Sequence, residues 1–214
     1  MARCGARSPK REARSVTQYL YLVRHGEHLD AEHGIDDGPL SPRGQRQAAL
    51  LADRLSGVPL TAVWHSPLER AAETARAVAD RLPSVSPQPN ALLFDCVPTG
   101  MTEDTPSMYE SFFGSYTDAE IEAGSAQMAD AVGEFLRRKP DAHELIITHN
   151  FVIAWFVREV LQMPTWRWLT LNQAHCGLTV VAQRAGRPWT LISHNDLGHL
   201  PVELRTGLPE LPPV

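Results

Sequence analysis

The chain has 214 residues, a net charge of −5, and 43% hydrophobic and 21% charged residues. This is the composition of a globular protein with one substantial domain; its acidic balance argues against a nucleic-acid binder, and no apolar run approaches the ~20 residues that span a bilayer. Its three cysteines, Cys4, Cys96 and Cys176, lack the spacing of a disulfide framework or a cysteine-type metal site and fit a reducing, cytoplasmic compartment.

Residues 1–16 are polar and basic, lack the apolar centre of a secretory signal, and read as a disordered tail. Residues 17–202 read as a single α/β domain, and the proline-rich stretch 203–214 as a loose C-terminal tail. Within the domain, QYLYLV (18–23) is an apolar run of strand length. A helix is expected over 40–57, with Ser41 as its cap, Pro42 in its first position and Gly57 at its stop. Ala48, Leu51, Ala52 and Leu55 form its apolar stripe. LTAVWHS (60–66) reads as a second strand. Ser66 and Glu69 have capping-box spacing and open a helix that runs to residue 82. ALLFD (91–95) reads as a third strand. Thr117 and Glu120 form another capping box, opening a long helix that ends in Arg137, Arg138 and Lys139, as its dipole favours. A fourth strand is expected at 143–149, a helix at 150–163, and two later strands at 177–183 and 189–195, antiparallel at an edge.

Alternating strands and helices imply a mainly parallel sheet sandwiched by helices. Ligands of such sheets bind beyond the carboxyl ends of the strands. His25 follows the first expected strand, Ser66 and Arg70 the second, and His149 the fourth, while Asp95 ends the third. Arg70 sits in the first turn of its helix, where the dipole disfavours a cation; leaning over the strand ends, its planar fork suits phosphate oxygens. His149 precedes a helix whose first N–H groups offer an anion site. Two histidines and two arginines, Arg24 and Arg70, repel one another around one point unless an anion joins them. A phosphoryl group resolves the conflict and gives a neutral imidazole something to attack. The other cations then stabilise charge on the transferring group, and Asp95 is the best-placed acid for the leaving alkoxide.

LVRHGE (22–27), SPLERAAETA (66–75) and IITHN (146–150) together resemble the signatures of the histidine phosphatase superfamily, which has the phosphoglycerate mutase-like fold. The helix sequence at 40–55 and HNDLGHL (194–200) extend the likeness, so that it runs from about Tyr19 to Leu200. The resemblance implies that His25 is the nucleophile, that Arg24, Arg70 and His149 complete the phosphate pocket, and that an acid after the third strand is the proton donor. Where the family often has Glu, this chain offers Asp95, with Glu103 and Asp104 as alternative donors. THN around the second histidine, and the run of HS, Arg and ET in the second motif, are similar to the branch holding the mitochondrial Ser/Thr protein phosphatase of this superfamily.

The expected function is therefore phosphate monoester hydrolysis through a phosphohistidine, without metal or other cofactor, on a phosphorylated small molecule or a phosphopeptide. A mutase is the first alternative, but EHLDAEHG (27–34) lacks the Ser/Thr, Trp, Asn pattern that follows the nucleophile in the glycolytic mutases. A non-catalytic phosphate-binding module is the second, disfavoured because all four pocket residues are kept. There is no His-Glu-x-x-His motif, no Cys followed by Arg six residues on, and no phosphate-binding GxxxxGK[ST] loop. His28 and His33 read as loop histidines, and His65, Asn172, His175 and His199 as structural residues around the pocket. The segment 96–116 reads as an insertion covering the site. Its Tyr109, Phe112, Phe113 and Tyr116 either pack on the neighbouring helix or wall the pocket for an apolar ester. Its Glu103, Asp104 and Glu110 disfavour highly anionic substrates.

Overall fold

The sheet is built around β1 (Thr17–Arg24), in which Gln18, Leu20, Leu22 and Val23 are buried and Thr17, Tyr19, Tyr21 and Arg24 are partly buried. The structure, a computed structural model, describes residues 17–29, 37–82 and 85–209. The expected tail 1–16, the end of the chain from residue 210, and His33 lie outside the described residues. After β1 come α1 (Pro42–Leu55), β2 (Ala62–His65), α2 (Glu69–Arg81), β3 (Pro87–Pro89), a one-turn α3 (Glu110–Phe113) and α4 (Asp118–Phe135). Then follow β4 (His143–Thr148), α5 (Asn150–Leu161), β5 (Leu178–Arg184) and β6 (Trp189–Asp196).

The strand order is β3-β2-β4-β1-β5-β6. β1, β2, β3 and β4 are parallel, and β5 and β6 add an antiparallel margin. The period-two alternation of strands sorts the core into two layers. Val23, Val63, Leu145 and Ile147 face α1 and α2. Leu20, Leu22 and Ile146 face α4 and α5 through Met128, Phe135, Val152 and Phe156. Among the described residues, no helix is long and apolar enough to cross a membrane.

Four expectations require correction. ALLFD is not a strand: β3 is the preceding Pro87–Pro89, and Ala91–Leu93 forms a 3-10 turn. Asn90 accepts from the Leu92 N–H and starts that turn, while Leu93 drops into the core. Prolines are tolerated in β3 because it is an edge strand. The expected Ser66–Glu69 capping box does not form: α2 has no side-chain cap of its own. The Asp37 carboxylate, from a distant loop, takes the Glu69 N–H at 3.0 Å instead. The long helix stops at Phe135, and Lys139 turns back to pair with Glu144 at 3.1 Å. Residues 203–207 are not loose: Val202–Leu204 forms a turn, Leu204 is buried, and Thr206 and Gly207 hydrogen-bond into the domain. The Thr117–Glu120 capping box forms as its spacing predicts.

Candidate active site

Strand register brings the two histidines together. In the parallel β1–β4 pair Arg24 lies opposite Thr148, so His25 and His149 leave adjacent strands at the same level. The His25 N–H donates to Thr148 O at 3.0 Å, and the two rings are 5.1 Å apart. β2, on the far side of β4, delivers Ser66 to the same edge through its N–H to Ile147 O.

Both rings are buried and their tautomers follow from their partners. His25 Nδ1 lies 2.8 Å from Gly26 O, which can only accept, so Nδ1 carries the proton. Its Nε2 faces the Arg70 Nε–H at 3.0 Å and is therefore an acceptor with its lone pair towards the site. His149 Nδ1 lies 3.2 Å from Arg70 Nη2, a donor, so its Nε2–H donates to Ser66 Oγ at 2.8 Å. Burial holds both rings well below the ordinary imidazole range. The charges of Arg24 and Arg70 reinforce this at both rings. The site thus presents a neutral imidazole with an available lone pair within a field that favours an anion.

Arg70 is the hub. Besides the two histidines it reaches Asp37 Oδ1 at 3.2 Å and Asp95 Oδ2 at 3.7 Å, and it is almost fully buried. Asp37 thereby fixes the guanidinium and the start of its helix at once. Arg24 is held from the other side: its Nη1 donates to Gln173 O and to Gly207 O, each at 2.8 Å. Its buried Nε has no partner among the described residues, and desolvation lowers its pKa to about 10. Gly207 has φ +83°, and a Cβ there would lie 2.8 Å from both Arg24 Nη1 and His175 Nδ1, so only glycine suits this backbone.

His175 is a third buried imidazole, 5.5 Å ring to ring from His25. Its Nδ1 meets Thr206 Oγ1 at 3.0 Å, and burial followed by Arg24 lowers its pKa to about 2. Thr206 also accepts from Gln47 Nε2 at 2.9 Å, so α1, the chain end and the nucleophile's surroundings form one network. His65 donates to Ser66 O at 2.8 Å, and His199 to Cys176 O at 3.1 Å. Both brace backbone and neither lines the site's cavities. Asn172 is exposed, and its neighbour Gln173 is the residue that reaches Arg24.

Asp95 stands on the loop after the 3-10 turn, its Oδ2 3.7 Å from His149 Nδ1 and its side chain 44% exposed. Burial of its inner side raises its pKa, opposed by Arg70, Arg24 and the Cys96 N–H. Glu103 and Asp104 are exposed and line neither cavity near His25. One cavity, about 270 Å³, is lined by Arg24, His25, Asp95, Asn150, Phe151 and Gly207. Its floor includes the first turn of α5, which has no side-chain cap and presents backbone N–H groups. Among the described residues no three His, Cys, Asp or Glu side chains are grouped so as to hold a metal ion.

Sequence reasoning missed Asp37, Gln173, Thr206 and Gly207. Two of these act through backbone carbonyls, which leave no signature in a sequence. Asp37 was recognisable only as one of several acidic residues in a polar loop.

Residues 20–197 match the family described as the histidine phosphatase superfamily (branch 1). The chain is 30% identical over 195 residues to the mitochondrial serine/threonine-protein phosphatase Pgam5 of Caenorhabditis elegans, covering 87% of this chain and 66% of that one. It is 30% identical over 193 residues to the Homo sapiens protein of the same description, covering 87% of this chain and 65% of that one. It thus spans just under two thirds of the length of these relatives. The alpha-ribazole phosphatase of Shigella flexneri has the same fold, with a TM-score of 0.66 at 22% identity over 84% of this chain and 96% of that one.

Proposed function

The chain belongs to the histidine phosphatase superfamily, branch 1, and from that premise we propose that it hydrolyses phosphate monoesters through a phosphohistidine on His25. The observation that carries this reading is the His25 ring itself, buried and neutral, its Nδ1–H donated to the Gly26 carbonyl and its Nε2 lone pair so directed towards cationic donors.

On binding, phosphoryl oxygens replace His25 Nε2 as acceptors of the Arg70 Nε–H, which frees the lone pair. Nε2 attacks phosphorus, the N–P bond forms and the P–O bond to the alcohol breaks. Asp95 gives its proton to the departing oxygen. Arg24, Arg70 and the first N–H groups of α5 hold the equatorial oxygens, and His149 joins them once its Nδ1, an acceptor in the free site, takes up a proton. In the second half the Asp95 carboxylate takes a proton from water, the hydroxyl oxygen attacks phosphorus, and the N–P electrons return to Nε2. The descriptions of the two protein phosphatases support a phosphoprotein substrate; the open rim at Asp95 also admits a small phosphorylated molecule.

The test is rapid quench of the enzyme with a radiolabelled monoester in the presence of chelator. Expected are turnover and a phosphoenzyme that is stable to base and lost in acid, both absent in His25→Ala. A folded His25→Ala protein with undiminished turnover refutes the reading.

A further inference from the structure

A second cavity opens beside the first. It measures about 370 Å³ and is lined by Leu68, Phe94, Val97, Tyr116 and Phe151, with Asp37, Arg70, Asp95 and Cys96. The two cavities share Asp95 and Phe151. A monoester whose phosphoryl group sits against His25 therefore has its bridging oxygen at Asp95 and its alcohol portion in the second cavity.

The walls of that cavity are apolar and fixed in place. Phe151, in the first turn of α5, stands edge-on to Phe112 at 5.6 Å and to Trp168 at 5.1 Å. Tyr116 is packed on Phe112 at 5.3 Å. Phe94 is 37% exposed, and its carbonyl is held by Gln127 Nε2 at 2.8 Å. Aromatic groups preset in this way bind a flat apolar group with little ordering of the protein. The charges of the cavity act in the same direction. Its one cation, Arg70, is committed to the phosphoryl group and to Asp37, which leaves the Asp95 carboxylate at the junction. A second anion on the alcohol portion finds no further cation among the lining residues, and the acidic side chains beside it, Asp37 and Asp95, offer it nothing to pair with.

Resting on the phosphohydrolase reading above, we infer that the second cavity is the alcohol subsite, and that it selects monoesters whose alcohol carries an aromatic or comparably apolar group and no further negative charge. Sugar phosphates and phosphorylated carboxylic acids are poor fits to it.

Leaving-group reactivity confounds rate comparisons between aryl and alkyl esters, so the test uses non-hydrolysable phosphonates and calorimetric titration of the full chain. Phenylphosphonate is expected to bind roughly ten- to a hundredfold more tightly than methylphosphonate, from burial of one ring. Phosphonoacetate, which adds a carboxylate, is expected to bind more weakly than methylphosphonate. Phe94→Ala, and separately Tyr116→Ala, should bring the phenyl-to-methyl ratio towards one. Equal affinity of the two phosphonates in the wild type overturns the subsite while leaving the phosphohydrolase reading intact. So does a ratio unchanged in both variants. Tight phosphonoacetate binding overturns its charge selectivity. Failure of every phosphonate to bind overturns both the subsite and the phosphate pocket on which it rests.

Discussion

At the residue scale, the chemistry depends on separating one acid from several neutral bases in a small volume. Burial and two arginines keep His25 and His149 unprotonated, while partial burial lifts the neighbouring Asp95 above its ordinary value. That division suits the proposed roles, His25 as nucleophile and Asp95 as proton donor. As a general acid Asp95 acts protonated, so kcat/KM falls as pH rises through its raised pKa. Asp95→Asn should lower kcat on an alkyl phosphate by about 10²- to 10⁴-fold and remove that limb. The loss should be much smaller on a nitrophenyl ester, whose leaving group needs no proton. A pH–rate comparison of the two esters checks this; equal losses on both would place the proton donor elsewhere. Legibility at this scale was uneven. Arg24, His25, Arg70 and His149 stand beside expected strand ends and could be named from spacing. His175 could be seen but not ranked, because its 5.5 Å approach to His25 comes from the bond of the next residue, Cys176 N–H, to Arg24 O and from the contact with Thr206, both set only in three dimensions.

At the scale of elements, the site is a set of helix starts and strand ends pinned by close backbone approaches. α4 carries Gly124 where it crosses the segment after Asp95, and a Cβ there would lie 2.1 Å from Val97 O. No side chain can yield at such a contact; the backbone must. Gly124→Ala should therefore destabilise the fold by about 1–3 kcal/mol and displace the segment carrying Val97. Urea denaturation and kcat/KM together check this, and a variant as stable as the wild type would show that α4 is free to shift. The insertion shows why element reading failed where it did. Of the four aromatics that the sequence left between packing and walling the pocket, Phe112 and Phe113 pack against Trp168, and Tyr109 stands against Trp166. Only Tyr116 reaches the cleft. Its main walls, Phe94 and Phe151, come from a stretch misread as a strand and from a helix start. A short apolar run such as ALLF fits a strand or a buried turn equally well, and the edge of the sheet was already taken by Pro87–Pro89.

Across the whole molecule, function is set against acid stability. His25, His149 and His175 are buried as neutral rings with lowered pKa values. From about one unit above pH 6.5 they are neutral in the folded and unfolded chain alike and contribute no pH dependence. Below it the unfolded chain takes up protons that the folded site refuses. Stability then falls with pH by up to about 1.4 kcal/mol per unit for each ring until the folded pKa is reached. Urea unfolding at pH 8.5, 7.5, 6.5 and 5.5 should show a plateau between the first two and then a steepening decline. His175→Gln, provided it folds, should make the decline shallower. Unchanged stability across this range would contradict the burial of the three rings.

The sequence by itself determined the alternation of strands and helices, the apolar stripes that face the sheet, and the residue types at each strand end. These are local properties, written in periodicity and caps. Tertiary structure decided what those ends do. The register of β1 against β4 sets the two histidines side by side. Asp37 replaces the expected cap of α2 and aims Arg70. Gln173 and Gly207, far along the chain, hold Arg24 through carbonyl oxygens. A backbone carbonyl is the same in every residue, so its place in a site is fixed by the path of the chain and not by the identity of the side chain above it.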